Sequence, residues 1–286
     1  MKPAPFGYAR PRDLPELLDA FGEGDVLLAG GQSLLPDLNE RRRSARRLLD
    51  INGTEGLRHL DAGPDALVLG AVTRHATLAA SPQVRAAVPV LSAAAARVGH
   101  AAVRTRGTLG GSIANGDPAA ELPGVAVLLD AHAELRTARD TRTAPVTALL
   151  RRGGIGPGEV LVSVTFPRMS ARDGWGFHEL SRPGAYAFPL VSVAAVVALS
   201  DDGTVASLRT AVTGAGPIPY ALESTRSLTG REPGPEWAGE VADRLSGSAD
   251  PVSDGWAGAA YRRRMVRHLA LRALADAVGR AREATP

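Results

Sequence analysis

Two pairs of adjacent glycines constrain the fold of this chain more than any other feature of its sequence. Gly30 and Gly31 follow the short apolar run DVLLA and precede a leucine-rich stretch that suggests a helix. Gly110 and Gly111 repeat that construction within RGTLGGSIANGDPAAELP, residues 106–123. Because glycine lacks a Cβ atom, its backbone can take positive φ angles and can approach other atoms closely. The sequence therefore predicts a sharp turn at each pair.

Each predicted turn is also a candidate anion-binding loop. Successive exposed N–H groups in such a turn form a concave site for anions, and a following helix N-terminus strengthens it. Ser33, Thr108 and Ser112 add hydroxyl groups beside the glycines. Two such loops facing each other would hold a diphosphate. Neither stretch contains the G-x-G-x-x-G fingerprint or the lysine of a P-loop. On the residues alone, a phosphate site and a plain tight turn therefore both stay open.

The rest of the pattern predicts mixed helices and strands followed by a strand-rich segment. A helix is predicted from about Leu14 to Phe21 with Asp13 as its N-cap, and a helical stretch at 81–99. Shorter strands are predicted at 25–30, 47–52, 66–73, 133–138 and 159–167. Longer strands are predicted at 174–182, 189–200 and 205–216, the last two joined by the hairpin-type turn DDGT. Beyond Pro219 the pattern is helical.

Size and composition exclude several classes of protein. A chain of 286 residues is long enough for two or three subdomains. The net charge is only +3 and the basic residues are dispersed, whereas a nucleic-acid-binding protein concentrates them in a stripe. The chain has no cysteine, which excludes disulfides and thiolate metal sites within it. No signal peptide and no membrane-length apolar segment is recognised, so a cytoplasmic protein without membrane insertion is expected.

The six histidines show no metal-ligand spacing, and we expect them to be surface or hydrogen-bonded polar residues rather than ligands. Asp117, which precedes a proline, is expected to be a helix N-cap.

Five segments of the sequence, taken together and in order, resemble one known family. They are AGGQSLLP, LLDIN, GAVTRHATLAASP, VRTRGTLGGSIANGDPAAELP and SDGWAGAAYRRRMVRHLALRAL. The chain resembles the FAD-binding medium subunits of molybdenum hydroxylases, the group of aerobic carbon monoxide dehydrogenase and xanthine dehydrogenase. The resemblance extends over essentially the whole chain.

The resemblance implies an α+β fold in which two subdomains of the vanillyl-alcohol-oxidase (PCMH) type bind FAD. A C-terminal antiparallel sheet with helices follows them. We expect three units: an N-terminal FAD-binding subdomain at 1–57, a second one at 58–173, and the C-terminal sheet-and-helix domain at 174–286.

The resemblance also implies which residues contact FAD. Both glycine loops would embrace the diphosphate. The first loop consists of Ala29, Gly30, Gly31, Gln32, Ser33 and Leu34. The second consists of Thr108, Leu109, Gly110, Gly111 and Ser112. Asn115 and Glu121 fall at positions expected to contact the ribityl and ribose portion, and Leu161 and Phe188 at positions expected near the flavin ring. On the residues alone, Glu121 is equally a helix-start carboxylate, and Leu161 and Phe188 are equally core residues.

By the same resemblance, the chain is a flavoprotein oxidoreductase subunit. Its partners would be a small subunit with two [2Fe–2S] clusters and a large subunit with molybdopterin, in a heterotrimer that can itself dimerise. Electrons would pass from the clusters through FAD to an external acceptor. The FAD would be non-covalent, because Gln32 and Ser33 occupy the loop and cysteine is absent. No general base or nucleophile is nominated.

Two other functions stay open at this stage. A standalone FAD-dependent oxidoreductase that acts directly on a small molecule would have the same FAD site. A scaffold that has lost FAD would keep the fold without the cofactor. The arginine-rich segments 41–47 and 262–267 are candidate contacts with partner subunits, since arginine is favoured at interfaces; a solvated basic face is the alternative.

Overall fold

Three β-sheets, one after another along the chain, organise the residues that the structure describes. The structure is a computed structural model and describes residues 2–182 and 189–284. The sheet order is β1-β3-β2 in the first, β4-β5-β8-β6-β7 in the second and β11-β10-β9 in the third. Within the described ranges, no helix has the length and apolar character needed to cross a membrane. The mixed helix-and-sheet fold with an antiparallel C-terminal sheet is the one that the resemblance predicts.

The first sheet is parallel and small. Its elements are β1 (Gly7–Ala9), α1 (Leu14–Ala20), β2 (Asp25–Leu28), α2 (Leu34–Asn39) and β3 (Arg47–Asp50). Both β1 and β2 pair with β3 in parallel. The predicted N-cap is confirmed, because the Asp13 carboxylate accepts the N–H of Glu16 at 2.9 Å. The turn between β2 and α2 contains the first glycine pair, so the strand end and the helix start both border that loop.

The second sheet is antiparallel and carries most of the short helices. Its strands are β4 (Leu60–Ala62), β5 (Ala66–Gly70), β6 (His132–Arg136), β7 (Thr141–Pro145) and β8 (Val160–Pro167). The helices are α3 (His75–Ala80), α4 (Pro82–Ala87), α5 (Pro89–Arg97), α6 (Ala101–Arg106), α7 (Leu109–Asn115), α8 (Glu121–Leu128) and α9 (Val146–Arg151). The predicted helical stretch at 81–99 is divided in two, since Pro82 and Pro89 each begin a helix. The pattern missed strand β7, whose residues are largely polar and exposed.

The third sheet is antiparallel and lies between two groups of helices. Its strands are β9 (Asp173–Ser181), β10 (Pro189–Leu199) and β11 (Val205–Thr213), followed by α10 (Pro235–Gly247) and α11 (Ala259–Ala284). Along β10, Val193 and Val197 pack into the core formed with α10 and α11. Ala194 and Val196 point to the opposite face and pack into the core that contains α8. Burial on both faces explains why β10 is a continuous apolar run.

Arg262 is a structural residue and not a surface contact. Its side chain is buried, and its guanidinium donates to the carbonyl oxygens of Leu190 and Gly214 and to the carboxylate of Asp254. The expectation that segment 262–267 offers this arginine to a partner subunit is therefore wrong. Arg262 connects β10, the residue after β11 and the turn before α11. The sequence pattern does not distinguish such a buried arginine from a solvent-exposed one.

Segment 41–47 is also largely engaged within the chain. Arg46 and Arg47 both pair with the carboxylate of Asp25, at 2.8 and 2.7 Å. Arg42 pairs with Asp37 and Glu40. These ion pairs fix the loop that connects α2 with β3 beside the first glycine loop.

Candidate functional site

A cleft of about 1070 Å³ runs between the first sheet and the helices of the second. Its volume lies at the upper end of the range for ligand and cofactor pockets. All the predicted site residues in the described ranges line this cleft, with the exception of Leu109. They are Ala29, Gly30, Gly31, Gln32, Ser33, Leu34, Thr108, Gly110, Gly111, Ser112, Asn115, Glu121 and Leu161. Phe188 lies outside the described residues.

The first glycine loop presents unpaired backbone donors to this cleft. Gly31 has a φ of +71°, which turns the chain sharply between β2 and α2. Within the parts of the chain that the structure describes, the N–H groups of residues 30–33 donate to no protein acceptor. The amide of Gln32 folds back to the carbonyl oxygen of Gly30 at 3.2 Å and leaves those donors accessible. A run of unpaired N–H groups at the start of a helix is a site for an anion such as phosphate.

The second glycine loop is different, because its backbone donors are already used. The N–H of Leu109 donates to the carbonyl oxygen of Thr73 at 2.9 Å, and that of Gly110 to the carbonyl oxygen of Ala71 at 2.8 Å. The N–H of Gly111 donates to the hydroxyl oxygen of Thr108, which caps α7. The two loops therefore differ in how they can bind an anion, although residues of both line the cleft. The second loop offers the cleft its surface and the side chain of Ser112, not free amides.

Leu109 does not line the cleft. Its side chain is fully buried in the core cluster of the second sheet, and its N–H is bonded to Thr73. The resemblance placed Leu109 in the predicted contact set, whereas the first turn of α7 directs its side chain into the core.

The four glycines are explained by contacts within the protein, and at Gly111 a Cβ would lie 2.8 Å from the hydroxyl oxygen of Thr108. A Cβ on Gly30 would lie 2.5 Å from the carbonyl oxygen of Arg106 and 2.8 Å from the Cα of Gly107, so the two loops touch here. A Cβ on Gly110 would lie 2.7 Å from that of Ala71. At Gly31 the positive φ and the nearby Leu35 side chain disfavour any larger residue. Substitution of Gly31 by valine would therefore strain the fold itself and would not report on ligand binding.

A polar network, which sequence reasoning missed, holds the two loops together. The side-chain amide of Asn52 donates to the carbonyl oxygen of Ala29 at 2.8 Å. The Arg74 guanidinium donates to the side-chain oxygen of Asn52 at 2.7 Å and to the backbone carbonyl of Arg106. The network therefore links β3, the first loop and the segment before the second loop. Both residues occur in the family-like segments LLDIN and GAVTRHATLAASP, which was the available signal.

Glu121 is the most perturbed acidic residue of the cleft. It is the first residue of α8 and is 4% exposed, and its Oε1 atom has no hydrogen-bond partner among the described residues. Burial raises the pKa of this carboxyl to about 8, and the negative charges of Glu179 and Asp117 add to the effect. A buried polar atom without a partner is rare and indicates a missing ligand or water.

Asp117 and Leu161 are two further residues that line the cleft. Asp117 is not the N-cap of α8, which is Ala120; its carboxylate accepts the N–H of Ala119 at 2.8 Å in the preceding turn. Leu161 on β8 lines the cleft as an apolar wall and is almost fully buried.

Glu159 is a contrasting carboxylate on the same cleft. Its hydrogen bond with Arg142, together with the N–H of Gly156 and the charge of Arg152, lowers its pKa to about 2. Glu159 therefore stays ionised at any physiological pH, and its negative charge is balanced within the protein.

His75 is a cleft residue that sequence reasoning did not select. It begins α3 and is 5% exposed. Burial lowers its pKa to about 4, and an interaction with the backbone of Thr108 opposes that shift. The ring is therefore not at the surface; it lies beneath the junction of the two glycine loops and lines the cleft.

These features fit FAD. The unpaired N–H groups of residues 30–33 suit a diphosphate, and the unpaired oxygen of Glu121 suits a polar group of the sugar chain. The apolar wall at Leu161 suits a flat aromatic ring. A long cleft that presents an anion site between polar and apolar regions matches a dinucleotide of this composition.

Comparison with known proteins agrees with this chemistry. Residues 4–169 match the family described as the FAD binding domain in molybdopterin dehydrogenase. Residues 175–277 match the C-terminal domain of the carbon monoxide dehydrogenase flavoprotein.

Individual relatives span nearly the whole chain. One subunit of the 6-hydroxypseudooxynicotine dehydrogenase complex of Paenarthrobacter nicotinovorans is 34% identical, over 99% of this chain and 97% of its own length. The medium subunit of nicotine 6-hydroxylase from the same organism is 33% identical, over 98% of this chain and all of its own length. Carbon monoxide dehydrogenase from Hydrogenophaga pseudoflava contains a chain that superposes with a TM-score of 0.92 at 31% identity, covering 98% of this chain and 99% of that one. The chain belongs to the FAD-binding medium subunits of the molybdenum hydroxylase family.

Proposed function

We propose that this chain carries electrons from an iron–sulfur subunit, through FAD in the cleft, to an external acceptor. A large molybdopterin subunit would oxidise the substrate, and a small subunit with [2Fe–2S] clusters would connect the two. The medium subunit of nicotine 6-hydroxylase and the carbon monoxide dehydrogenase chain, which resemble this chain along its whole length, support this arrangement. The observation that carries the proposal is the run of unpaired N–H groups at residues 30–33, facing the cleft.

The cleft residues divide into three binding roles under this proposal. Residues 29–34 hold the diphosphate through their backbone N–H groups, and the Asn52–Arg74 network keeps that loop against the second one. The second loop, through Thr108, Gly110, Gly111 and Ser112, borders the same diphosphate. Asn115 and Glu121 bind the ribityl and ribose portion. Leu161 lies against the flavin ring, and Phe188 is assigned to the same ring. Bound FAD supplies the redox chemistry, while these residues bind it, orient it and exclude water.

We also propose that FAD is held without a covalent bond. The chain contains no cysteine, and the loop position next to the first glycine pair is occupied by Gln32 and Ser33. Purified chain loaded with FAD should release all its flavin into the supernatant after acid precipitation. Flavin absorbance retained in the washed polypeptide pellet would contradict this assignment.

The decisive test of the function compares the isolated chain with the assembled complex. Co-expression with its two partner subunits should give a heterotrimer whose flavin absorbance bleaches when the substrate of the complex is added. The isolated chain should bind FAD with one flavin per polypeptide, yet its flavin should stay oxidised with the same substrate. Bleaching of flavin in the isolated chain would refute the subunit assignment and favour a standalone oxidoreductase. Absence of FAD binding would favour a scaffold.

The unit boundaries at 57/58 and 173/174 are part of the proposal. The sheets at 7–50, 60–167 and 173–213 support them, since each unit then contains one complete sheet apart from Asp173, the first residue of β9. We also propose a cytoplasmic location, which the absence of cysteine from the sequence fits. Fractionation of cells that express the tagged chain tests that location directly.

A further inference from the structure

Glu121 is a buried carboxyl of the cleft with one unsatisfied oxygen atom. The residue is 4% exposed, lines the cleft at the start of α8, and has an Oε1 atom without a hydrogen-bond partner among the described residues. A buried carboxylate normally has an arginine, a lysine or several N–H groups beside it. Glu159, on the same cleft, has such partners in Arg142 and Arg152. Glu121 therefore either is protonated, unlike Glu159, or has a ligand as its partner.

The charged groups that act on Glu121 are themselves acidic. They are Glu179, which reaches it from β9 of the third sheet, and Asp117 in the turn before α8. Glu179 is partly buried, and its Oε1 atom accepts a hydrogen bond from Ser181. Its Oε2 atom has no hydrogen-bond partner among the residues that the structure describes. The positive charge of Arg97, at the end of α5, acts on Glu179. Burial raises the pKa of Glu179, while the hydrogen bond from Ser181 and the charge of Arg97 oppose that rise. Two carboxyls from different elements therefore interact electrostatically, and groups that favour the ionised form act on Glu179.

Like charges close together in a site of low dielectric constant cannot both ionise at low cost. A diphosphate in the same cleft adds further negative charge and opposes ionisation of Glu121 more strongly. We propose that Glu121 binds FAD as a neutral carboxylic acid and donates a hydrogen bond to an acceptor atom of the cofactor, with Glu179 as the positioning residue that keeps it protonated. This inference rests on the proposed function, since it requires FAD in the cleft.

The proposal makes FAD affinity dependent on one proton. In the FAD-free chain the pKa of Glu121 is about 8, so the carboxyl is mostly neutral at pH 7 and mostly ionised at pH 9. If only the neutral form binds well, affinity is constant below pH 7 and falls about tenfold per pH unit above pH 8. FAD binding at pH 9 must then be accompanied by uptake of about one proton.

The test measures FAD affinity of the full chain, stripped of cofactor, by fluorescence titration between pH 6.5 and 9.5. Calorimetry at pH 9 in two buffers of different ionisation enthalpy measures the protons taken up. We expect wild type to bind about tenfold more weakly at pH 9 than at pH 7, with proton uptake. Glu121→Gln has an amide that donates without titrating, so its affinity should be independent of pH and its proton uptake should vanish.

Two further variants separate this effect from general alkaline damage. Glu159→Gln changes a cleft glutamate that is ionised throughout the pH range, so it should keep the alkaline loss of affinity. Glu179→Gln removes the neighbouring negative charge, so the loss should begin at lower pH than in wild type. The Glu179 variant also tests the proposal independently if Glu121→Gln does not fold.

Other results would overturn the proposal. Affinity that rises with pH, together with weaker binding by Glu121→Gln at pH 7, would mean that an ionised Glu121 accepts hydrogen bonds from the sugar hydroxyls. Affinity independent of pH in wild type would mean that Glu121 does not titrate in the cleft. Either result leaves the FAD site intact, whereas no FAD binding at any pH would refute the proposed function and this inference together.

Discussion

At the scale of single residues, His75 has a structural role at the junction of the loops. A Cβ on Gly107 would lie 2.7 Å from its Nδ1 atom, so the ring packs directly against the segment that Gly30 touches. Its folded pKa is about 4 against an ordinary 6.5, so the unfolded chain binds a proton more readily. The stability that neutral His75 contributes is present above pH 6.5 and is lost as the pH falls towards 4. Between pH 7 and 5 the loss should reach about 2 kcal/mol.

The corresponding measurement is the urea unfolding of the FAD-free chain at pH 7 and pH 5. His75→Leu should abolish the part of the decrease in unfolding free energy between pH 7 and pH 5 that is attributed to this residue. His268→Leu changes an exposed histidine and should show the same decrease as wild type. The pH dependence is compared between variants because Glu121 changes the stability in the opposite direction. Its pKa is raised to about 8, so the stability it contributes is complete below pH 4.5 and is lost as the pH rises to about 8. Equal pH dependence in the two leucine variants would show that His75 is not the titrating group.

At the scale of secondary-structure elements, the packing of α11 on β9 depends on two glycines. A Cβ on Gly176 would overlap the backbone carbonyl of Ala273, and one on Gly174 would overlap that of Ala277. The helix backbone therefore rests directly on the strand. Gly176→Ala should destabilise the chain by about 1–3 kcal/mol, the usual cost of overpacking. The measurement is the change in denaturant midpoint relative to wild type.

Gly279, on α11 itself, provides the matched control. Among the described residues, and apart from the adjacent backbone of α11 itself, no atom lies within 4 Å of the position its Cβ would take. Gly279→Ala should therefore stabilise the helix by about 0.5–1 kcal/mol, because alanine loses less backbone entropy than glycine. Similar shifts for the two alanine variants would contradict the close packing of α11 on β9.

At the scale of the whole molecule, the second and third units share one hydrophobic core. Ala194 and Ala211 of the third sheet belong to the same buried cluster as Leu122 of α8. The Gly214 N–H also donates to the carbonyl oxygen of Pro118 at 2.8 Å, next to the Glu121 turn. A chain ended at residue 172 should therefore expose apolar surface, bind a hydrophobic dye and hold FAD poorly.

Residues 173–286, co-expressed as a separate chain, should associate with that fragment and suppress dye binding. The readouts are dye fluorescence and size-exclusion chromatography of each fragment alone and of the pair. A monomeric 1–172 fragment that unfolds cooperatively and binds no dye would show that the second unit is independent of the third.

The sequence by itself determined those features that depend on neighbouring residues. The Asp13 cap, the hairpin between β10 and β11, and the sharp turn at Gly31 follow from local rules of capping, turn composition and glycine conformation. The sequence segments around both glycine pairs, taken in their order along the chain, were likewise sufficient to indicate the family, because a resemblance of this kind depends on the sequence alone. The positions that line the cleft were largely predicted for that reason.

Only the tertiary structure decided which groups are free, buried or paired. The N–H groups of Leu109 and Gly110 are hydrogen-bonded because the carbonyl oxygens of Thr73 and Ala71 lie beside the second loop. Position 30 requires glycine because the backbone of Gly107 lies against it. The negative charge of Glu179 on β9 acts on Glu121 at the start of α8. The buried Arg262 guanidinium donates to the carbonyl oxygens of Leu190 and Gly214. Burial and electrostatic environment depend on which distant segments come together in space, and no local pattern of residues encodes that.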